Sequence, residues 1–520
     1  MRVVNVSEMR DIEQRAERDF GLTSEILMDH AGHSVATSLR ERLGGALGAA
    51  RVLVLVGPGN NGGDGRVMGS YLSTWGAKVL YYVWREQRME PGVDESWMPS
   101  GAAHEPAPGG ELAAALMTCT VVADALLGTG TSRPLPDSMR EVLDLVRREK
   151  ERRPDLLLVA VDLPTGLNAD TGQVDPGTFR ADITVTLAFP KLGLLFFPGA
   201  GFVGELQVGG IGLPAELTIP PGPELLDDPV IRRLLPPRPL NSNKGTFGKV
   251  LIAAGSPAYP GSAYLVAAAA GRTGAGLVTL AASPTMAPIY AGKLSEATLH
   301  LMPPETEDPK SRAGSLLAAL AGYAALVIGP GLGQSETTGA FLLAVFAGLQ
   351  QMSKESRPRL LVDADGLNNL AKSERWWERL PEETVITPHP GEMARLQKGT
   401  PVSGGEIDRL DTCRRAAHDW NLILVLKGAH SLIAEPGGSI SITAPGNPAL
   451  ATAGTGDVLA GAIGGLLAQG LAPYDAARVG VYLHSRAGLR VSATIGDAGL
   501  LASDLLPELP RALHAVKVDD

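Results

Sequence analysis

Cysteine is nearly absent from this chain of 520 residues, which contains only Cys119 and Cys413. The two lie far apart in sequence and fit no zinc or redox spacing, so a disulfide-stabilised secreted scaffold is excluded. A reducing cytoplasm is therefore the expected compartment.

Long apolar runs and clusters of basic residues are also missing. The most apolar segment, residues 316–328, is too short to span a membrane and leads directly into a Gly-Pro-Gly turn. The N-terminal segment carries charges throughout, unlike a signal peptide. With a net charge of −10 and no basic run, the chain is not expected to bind nucleic acid or an anionic membrane surface.

The residues that are abundant describe an ordinary globular protein, with 44% hydrophobic and 20% charged residues. Short, nearly continuous apolar runs alternate with segments of helical period, which predicts parallel sheets with crossover helices. The predicted strands are residues 52–56, 79–83, 121–126, 156–161 and 183–187, then 250–254, 277–280, 326–328, 360–362, 384–386 and 422–426. Repeated prolines interrupt this pattern over residues 213–240. We predict an α/β protein with a first domain at 1–212, a Pro-rich linker at 213–228 and a second domain at 229–520.

The first candidate site is the glycine-rich exit of the strand at residues 52–56. The sequence GPGNNGGDG at residues 57–65 lets the backbone approach a phosphate, and the helix that follows presents free amide groups. A tight strand-to-helix connection without any ligand is the alternative interpretation. Asn60, Asn61 and Asp64 favour a site, because three polar side chains exceed what a connection needs.

Two further strand exits carry polar residues that parallel-sheet geometry brings to the same edge. One contains Asp124 and the sequence Gly128-Thr129-Gly130, and the other contains Asp162 and Thr165. Asp162 is a candidate for proton transfer, although a turn-forming aspartate is an equal alternative. Lys191 follows another strand and would neutralise a phosphate or assist proton transfer, unless it is a solvated surface lysine.

These motifs, together with SEMRDIEQ, GLTSEILMDHAG and FPKLG, resemble the NAD(P)H-hydrate epimerase family, also called the YjeF N-terminal domain. The resemblance implies a Rossmann-like three-layer domain with a parallel sheet. It also implies a potassium ion held by Asn61, Asp124 and Thr165, where the family commonly has Ser at the last position. The hydrate-binding residues it implies are Asn60, Asn61, Gly62, Gly63, Asp64, Gly128, Thr129, Gly130 and Asp162.

The second candidate site is the small-residue turn before the apolar helix that starts near residue 457. The amides of Gly454, Thr455 and Gly456 would converge on an oxyanion or phosphate at the helix start. Asp457 is then either a residue that complements the helix dipole or a general base that deprotonates a hydroxyl as it attacks.

Other strand exits in the second half carry polar residues. Asp363 and Asp365 would hold magnesium through water or cap a helix. Lys427 ends a buried strand and would meet a nucleotide phosphate, although the chain has no P-loop motif. His389 stands without a paired histidine spacing, so zinc is not expected.

The ordered motifs NKGTFGKVLI, RTGAGLV, GPGLG, LLVDADGL, ITPHPGEMARL, LKGAHS and GTGDVLAG resemble the ribokinase-like ADP/ATP-dependent NAD(P)H-hydrate dehydratase family. The resemblance implies that the hydrate is bound by Gly331, His389, Pro390, Gly391, Glu392 and Asp457. It implies that ADP is bound by Lys427, Gly428, Ala429, Ser431, Asn447, Gly454, Thr455 and Gly456. Asn243 stands where the family usually has His.

The two resemblances together imply a bifunctional repair enzyme with potassium and magnesium ions as cofactors, ADP as co-substrate and hydrated NADH or NADPH as substrate. The first domain would interconvert the two hydrate epimers and the second would dehydrate the S epimer, releasing AMP and phosphate. A homo-oligomer is expected. Two rivals remain open, a vitamin-type small-molecule kinase and a non-catalytic nucleotide-sensing first domain.

Overall fold

The computed structural model describes residues 1–45, 47–92, 110–130, 133–398 and 406–518. The described chain divides into two compact units, one built from Arg2–Gly222 and the other from Pro223 onwards. The division falls inside the predicted linker. Residues 519 and 520, at the end of the predicted second domain, lie outside the described ranges.

The N-terminal unit is built around a sheet whose order, within the described residues, is β3-β2-β1-β4-β5-β6-β7. Every neighbouring pair is parallel except β2 and β3. The strands are β1 (Arg51–Val56), β2 (Lys78–Val83), β3 (Arg88–Pro91), β4 (Val121–Ala125), β5 (Leu157–Val161), β6 (Ile183–Leu187) and β7 (Glu205–Gly209). The helices are α1 (Val6–Phe20), α2 (Ser24–Arg42), α3 (Asn60–Thr74), α4 (Gly110–Thr118), α5 (Asp137–Arg152), α6 (Leu192–Leu195) and α7 (Ala200–Val203).

Helices cover both faces of this sheet because successive side chains of a strand point to opposite sides. Val52 and Val54 join the core that α1, α2 and α3 cover, whereas Leu53 and Leu55 join the core under α4 and α5. All four side chains are completely buried. This three-layer α/β/α arrangement agrees with the predicted fold.

The C-terminal unit has a larger sheet, whose order in the described part is β11-β10-β9-β12-β13-β14-β15-β16-β17-β8. Pairing is parallel except that β16 runs antiparallel to β15 and β17. The strands are β8 (Glu224–Leu225), β9 (Lys249–Ala253), β10 (Leu277–Ala282), β11 (Thr298–Leu301), β12 (Ala325–Ile328), β13 (Arg359–Val362), β14 (Val385–Ile386), β15 (Ile423–Leu426), β16 (Leu432–Ala434) and β17 (Ile440–Ile442).

Helices of the C-terminal unit alternate with these strands. They are α8 (Asp228–Leu234), α9 (Pro260–Arg272), α10 (Ala287–Ala291), α11 (Pro309–Ala319), α12 (Glu336–Gln351), α13 (Asp365–Leu370), α14 (Pro390–Leu396), α15 (Glu406–Trp420), α16 (Thr455–Ala468), α17 (Pro473–Ile495) and α18 (Leu505–Val518). Val250, Val327 and Leu361 pack into the core formed with α9, α16 and α17. Helix α16 is buried along almost its whole length, which explains its apolar sequence.

The α/β class with parallel sheets is confirmed, and each of the eleven predicted runs is a strand to within two residues at either end. Among the described residues, the strands that were not predicted are of two kinds. Strands β3, β7, β8 and β11 form the sheet edges and are largely only partly buried, whereas β16 and β17 are buried but only three residues long. None of the helices in the described ranges combines the length and apolar character needed to cross a bilayer.

Candidate active sites

The glycine-rich turn at residues 57–65 connects β1 to α3 as predicted. Glycine is required within it, because a Cβ on Gly62 would lie 2.1 Å from the carbonyl oxygen of Gly57. The turn buries Asn61, which is 7% exposed. Neither the amide oxygen nor the amide nitrogen of that side chain has a hydrogen-bond partner in the described structure. Buried amides are normally satisfied, so this group is available to a ligand.

Asp124 ends β4 beside Asn61 and the following loop. A Cβ added to Gly128 would lie 3.3 Å from the Asn61 side chain, which places the Gly128-Thr129-Gly130 loop against it. Asp124 is 1% exposed and accepts hydrogen bonds from the Thr165 backbone N–H at 2.8 Å and from the Thr165 hydroxyl at 2.7 Å. Burial raises the pKa of Asp124, although these donors oppose the shift. The structure thus brings Asp124 and Thr165 into direct contact.

Asp162 and Lys191 form a buried ion pair, with Nζ and Oδ1 2.5 Å apart. Lys191 is 1% exposed and also donates to the Thr186 hydroxyl at 3.1 Å and the Leu187 carbonyl at 2.9 Å. Asp162 has a φ of 66°, a left-handed conformation that is uncommon for residues other than glycine. The interpretation of Lys191 as a solvated surface residue is therefore wrong. Backbone strain at such a residue is typical of functional sites.

A cavity of about 230 Å³ opens beside this strand edge. Asn60 and Asp64 line it together with Glu13 from α1 and Met28 from α2. Burial raises the pKa of Asp64 to about 8, with the Asp162 and Glu13 carboxylates adding to the shift and Lys191 opposing it. Sequence reasoning missed Glu13, because an acidic residue in an amphipathic helix carries no distinguishing local signal.

In the C-terminal unit, α16 begins at Thr455 and is capped by Gly454, which has a φ of 88°. The Thr455 backbone N–H already donates to the Thr452 carbonyl at 3.3 Å, so the Gly456 amide in the first turn is the one that the helix start offers to an anion. The Thr455 hydroxyl is engaged internally, since it donates to the Leu450 carbonyl at 2.9 Å. His484 supports the same turn from α17 through a 2.9 Å contact between Nε2 and the Thr455 carbonyl. Burial lowers the pKa of His484 to about 4, so a neutral imidazole donates this hydrogen bond.

Asp457 lies in the first turn of α16, and the Ser262 hydroxyl of α9 is close enough to lower its pKa. Burial raises the pKa of Asp457 to about 6; Asp363 adds to the shift, whereas Ser262 and Lys427 oppose it. Asp457 is thus ionised at neutral pH but close enough to neutrality to accept a proton. This is the range expected of a general base.

Lys427 ends β15 and pairs with two buried carboxylates, Asp363 at 2.9 Å and Glu392 at 4.0 Å. Burial alone would lower the pKa of Lys427, but these carboxylates raise it, so the ammonium group stays charged. A Cβ on Gly456 would lie 3.5 Å from Nζ, which places Lys427 against the α16 amides. The structure therefore brings Asp457, Lys427 and the helix start together and places Asp363 beside them.

His389 caps α14, its Nδ1 accepting from the Gly391 backbone N–H at 3.0 Å. Glu392 accepts in return from the His389 backbone N–H at 2.9 Å. Burial lowers the pKa of His389, and repulsion by the charged Lys427 lowers it further, so the ring is neutral. Because Nδ1 accepts a hydrogen bond, the ring proton is on Nε2. The His-Pro-Gly-Glu turn, including Pro390, thus presents a neutral donor next to Lys427.

The other predicted residues of this half divide by location. Gly331 packs against Ser262, where a Cβ would lie 2.8 Å from that side chain. Gly428 and Ala429 are exposed at the end of β15, and Ser431 pairs with Thr443. Asn447 caps a short helix and contacts Ser492 at 3.0 Å. Asn243 caps another short helix by accepting from the Gly245 backbone N–H.

Neither predicted magnesium-binding carboxylate is free. Asp363 binds Lys427, and Asp365 accepts from the Gly333 backbone N–H at 2.8 Å and from the Gln334 side chain at 2.9 Å. Across the described ranges, no group of three or more His, Cys, Asp or Glu residues is arranged to hold a metal ion.

Two family models match the chain. One, described as NAD(P)H-hydrate dehydratase, matches residues 250–511. The other, described as the YjeF-related protein N-terminus, matches residues 24–193. A solved structure of the ADP/ATP-dependent NAD(P)H-hydrate dehydratase from Bacillus subtilis, co-crystallised with ATP and Mg²⁺, is 29% identical. It covers 57% of this chain and 99% of that chain, with a TM-score of 0.48.

Similarity to curated proteins extends over both units. The bifunctional NAD(P)H-hydrate repair enzyme of Moorella thermoacetica is 37% identical over 99% of this chain and 97% of its own length. The enzyme of the same name from Thermofilum pendens is 36% identical over 100% and 97%. That of Escherichia coli is 33% identical over 98% and 94%. With this similarity along its whole length and both family models matched in order, the chain belongs to the bifunctional NAD(P)H-hydrate repair enzyme family.

Proposed function

We propose that the protein repairs hydrated NADH and NADPH in two steps. The N-terminal unit interconverts the R and S hydrates, and the C-terminal unit dehydrates the S hydrate at the expense of ADP, releasing AMP and phosphate. The main support for this proposal is that each unit has a buried ion pair between a lysine and an aspartate at the carboxyl ends of its parallel strands. That edge is where ligands bind open α/β sheets.

In the C-terminal unit, the ADP phosphates would lie at the start of α16, along Gly454, Thr455 and the Gly456 amide, next to the cationic Lys427. Gly428, Ala429, Ser431 and Asn447 would complete the nucleotide site. The hydrate would contact Gly331 and the turn from His389 to Glu392.

Asp457 would accept the proton of the ring hydroxyl as that oxygen attacks the terminal phosphate of ADP. The new phosphate group then leaves the ring carbon with its bonding electron pair, and the neighbouring ring carbon loses a proton to solvent, which restores the double bond. The magnesium ion would arrive with the nucleotide phosphates, since the nearby carboxylates Asp363 and Asp365 are already engaged.

In the N-terminal unit, Asn61, Asp124 and Thr165 would hold a potassium ion. The unpartnered Asn61 amide oxygen and the buried Asp124 carboxylate are hard oxygen ligands that suit such a cation. The ion would balance the Asp124 charge and order the surrounding loops. The hydrate would bind the glycine-rich turn and the Gly128-Thr129-Gly130 loop, with Asp162 and its partner Lys191 serving proton transfer.

The decisive experiment supplies the protein with mixed hydrate epimers, with and without ADP, and follows reduced cofactor and phosphorylated products. We expect both epimers to be converted back to reduced cofactor when ADP is present, and neither to be converted when it is absent. A stable phosphorylated metabolite would instead indicate a small-molecule kinase. If the S hydrate is consumed while the R hydrate decays only at its spontaneous rate, the N-terminal unit is not an epimerase.

The potassium site has its own test in Asp124→Ala. This change removes a buried carboxylate, so we expect epimerisation to slow by about tenfold or more and to lose its dependence on potassium. ADP-dependent dehydration of the S hydrate is the control and should keep the wild-type rate. Epimerisation with unchanged potassium dependence would show that Asp124 only supports the Thr165 loop.

We also propose a cytoplasmic homo-oligomer. Both cysteines are buried free thiols, which suits a reducing compartment. Sedimentation of the purified protein measures the oligomeric state directly.

A further inference from the structure

The cavity of the N-terminal unit has an acidic wall that the proposed potassium and substrate sites leave unexplained. Glu13 and Glu17 reach it from α1, and Asp64 reaches it from α3. The remaining lining consists of six apolar side chains and four polar ones, namely Leu22, Leu27, Met28, Ala31, Leu187 and Ile211, with Arg10, Gln14, Ser24 and Asn60. Such a cavity suits an uncharged or cationic ring better than a phosphate.

Two of these carboxylates lack partners. Asp64 is only 8% exposed, yet within the described structure its carboxylate makes no hydrogen bond or ion pair. Glu13 is partly buried and likewise has no such partner among the described residues. Asp162 differs, because Lys191, Thr186 and the Leu187 backbone all donate to it. Both carboxylates line the cavity, so they are accessible from it and free to contact a ligand there.

The charges around Glu13 favour its protonated form. Burial raises the pKa of Glu13, the Asp162 carboxylate raises it further, and Lys191 and Arg10 oppose the shift. Asp64 faces Glu13 from α3, and Glu17 lies on the same helix at the cavity wall. A carboxyl group in such surroundings keeps its proton to a higher pH than an exposed one.

We propose that Glu13 is a catalytic acid of hydrate epimerisation, donating its proton to the ring hydroxyl that leaves. This inference rests on the epimerase function proposed above and adds a residue to it. The hydroxyl of the hydrate sits on a ring carbon bonded to the ring nitrogen. When Glu13 protonates that hydroxyl, the carbon–oxygen bond breaks, water departs, and the nitrogen lone pair forms a carbon–nitrogen double bond.

The resulting ring is a cation, and the acidic wall stabilises it. Water then adds to the opposite face, the electrons of the double bond return to nitrogen, and Asp162 takes the proton of the added water. The proton passes back to Glu13 by exchange with solvent through the open cavity. No oxidant or reductant is consumed, and the product differs from the substrate only at one carbon.

The test compares Glu13→Gln and Glu13→Asp with Glu25→Gln in the full-length protein. Glu25 is an exposed residue in the first turn of α2 that does not line the cavity, so it is a control for loss of one glutamate charge. We expect Glu13→Gln to lower the epimerisation kcat by about 10²- to 10³-fold. Glu13→Asp should retain partial activity, and Glu25→Gln should match the wild type.

The pH profile separates a catalytic acid from a structural residue. Because the acid must be protonated, the wild-type kcat should fall as pH rises through the pKa of Glu13, and Glu13→Gln should lose that alkaline limb. In heavy-oxygen water, the wild-type product should carry the solvent oxygen. Dehydration of the S hydrate should be unaffected in every variant.

If Glu13→Gln shows the same epimerisation kcat and pH profile as the wild type, Glu13 is not the acid, and the proposed function is unaffected. A wild-type protein that does not epimerise would overturn the proposed function and this inference together. If Glu13→Gln does not fold, Glu13→Asp provides the test. Its carboxyl group is one methylene shorter, so an unchanged epimerisation rate would refute the role of Glu13 as the acid. Retention of the original oxygen during epimerisation would also refute it.

Discussion

In each unit a lysine forms an ion pair with an aspartate at a strand end, but the two lysines have different surroundings. Lys191 is 1% exposed and spends its donors on Asp162, Thr186 and a backbone carbonyl. Lys427 has a side chain that is 19% exposed and lies against the start of α16. The first lysine is enclosed within its pair, whereas the second is shared between its carboxylates and an anion-binding helix end.

The carboxylates that face these lysines differ accordingly. Near Lys191, burial and mutual repulsion raise the pKa of Asp64 to about 8, so a proton is held there at neutral pH. Near Lys427, the pKa of Asp457 is about 6, so the carboxylate is ionised at neutral pH. Both units pair a lysine with an aspartate at strand ends. The nearby carboxyl group is nevertheless protonated at neutral pH in the N-terminal unit and ionised in the C-terminal unit. Each carboxylate is buried beside two others, but the Ser262 hydroxyl and Lys427 both lower the pKa of Asp457, whereas only Lys191 opposes the rise at Asp64.

The largest expected effect breaks the base. Asp457→Asn preserves size and the α16 helix start but cannot accept the hydroxyl proton, so the dehydration kcat should fall by about 10²- to 10⁴-fold. The nucleotide Kd should change little. Epimerisation in the other unit is the internal control. If Asp457 only complemented the helix dipole, its loss would cost about 0.3–1 kcal/mol of stability and leave kcat largely intact.

A second test breaks the enclosed pair. Lys191→Met leaves Asp162 buried without its cation, and we expect the N-terminal unit to lose about 3–5 kcal/mol of stability. Hydrogen exchange of the β5 and β6 amides measures this loss locally. The matched control is Lys78→Met, which replaces a partly exposed lysine at the start of β2. It should lower the free energy of unfolding by about 0.5 kcal/mol or less. Equal effects of the two changes would show that the ion pair is unimportant.

The smallest expected effect tunes the base without removing it. The dehydration rate should fall as pH drops through about 6, where Asp457 gains its proton. Ser262→Ala removes a hydroxyl that lowers the pKa of Asp457, so that pKa should rise. A hydrogen bond from such a hydroxyl is worth roughly 0.5–1.5 kcal/mol, so the acid limb should move up by at most about one pH unit. An acid limb that stays in place would show that another group controls it.

Strand prediction succeeded where burial was symmetrical. Strands β1 and β9 lie inside their sheets, are covered on both faces and therefore read as continuous apolar runs. It failed for β16 and β17, which are buried but only three residues long, and for β3 and β11, which close one edge of each sheet and are nowhere fully buried. Edge strands mix polar and apolar residues because one side faces water, so the sequence offers no clear run.

Pairing between distant residues was beyond the reach of sequence reasoning. Asp363 and Lys427 are 64 residues apart, yet they meet because parallel pairing places the ends of β13 and β15 at the same sheet edge. Sequence reasoning placed both at strand ends without indicating that they pair. It did not identify Glu13 at all, since helix α1 reaches the cavity only through the packing of the N-terminal unit.

The sequence by itself determined the two-part α/β organisation, the glycine-rich turns and the polar residues at strand exits, because apolar runs and turn residues act locally in the chain. Only the tertiary structure decided that Lys191 is buried and paired, that Lys427 is held by two carboxylates, and that Asp64 and Asp457 have different pKa values. Those properties depend on burial and on distances between residues far apart in sequence, and both are set only when the sheets and helices pack.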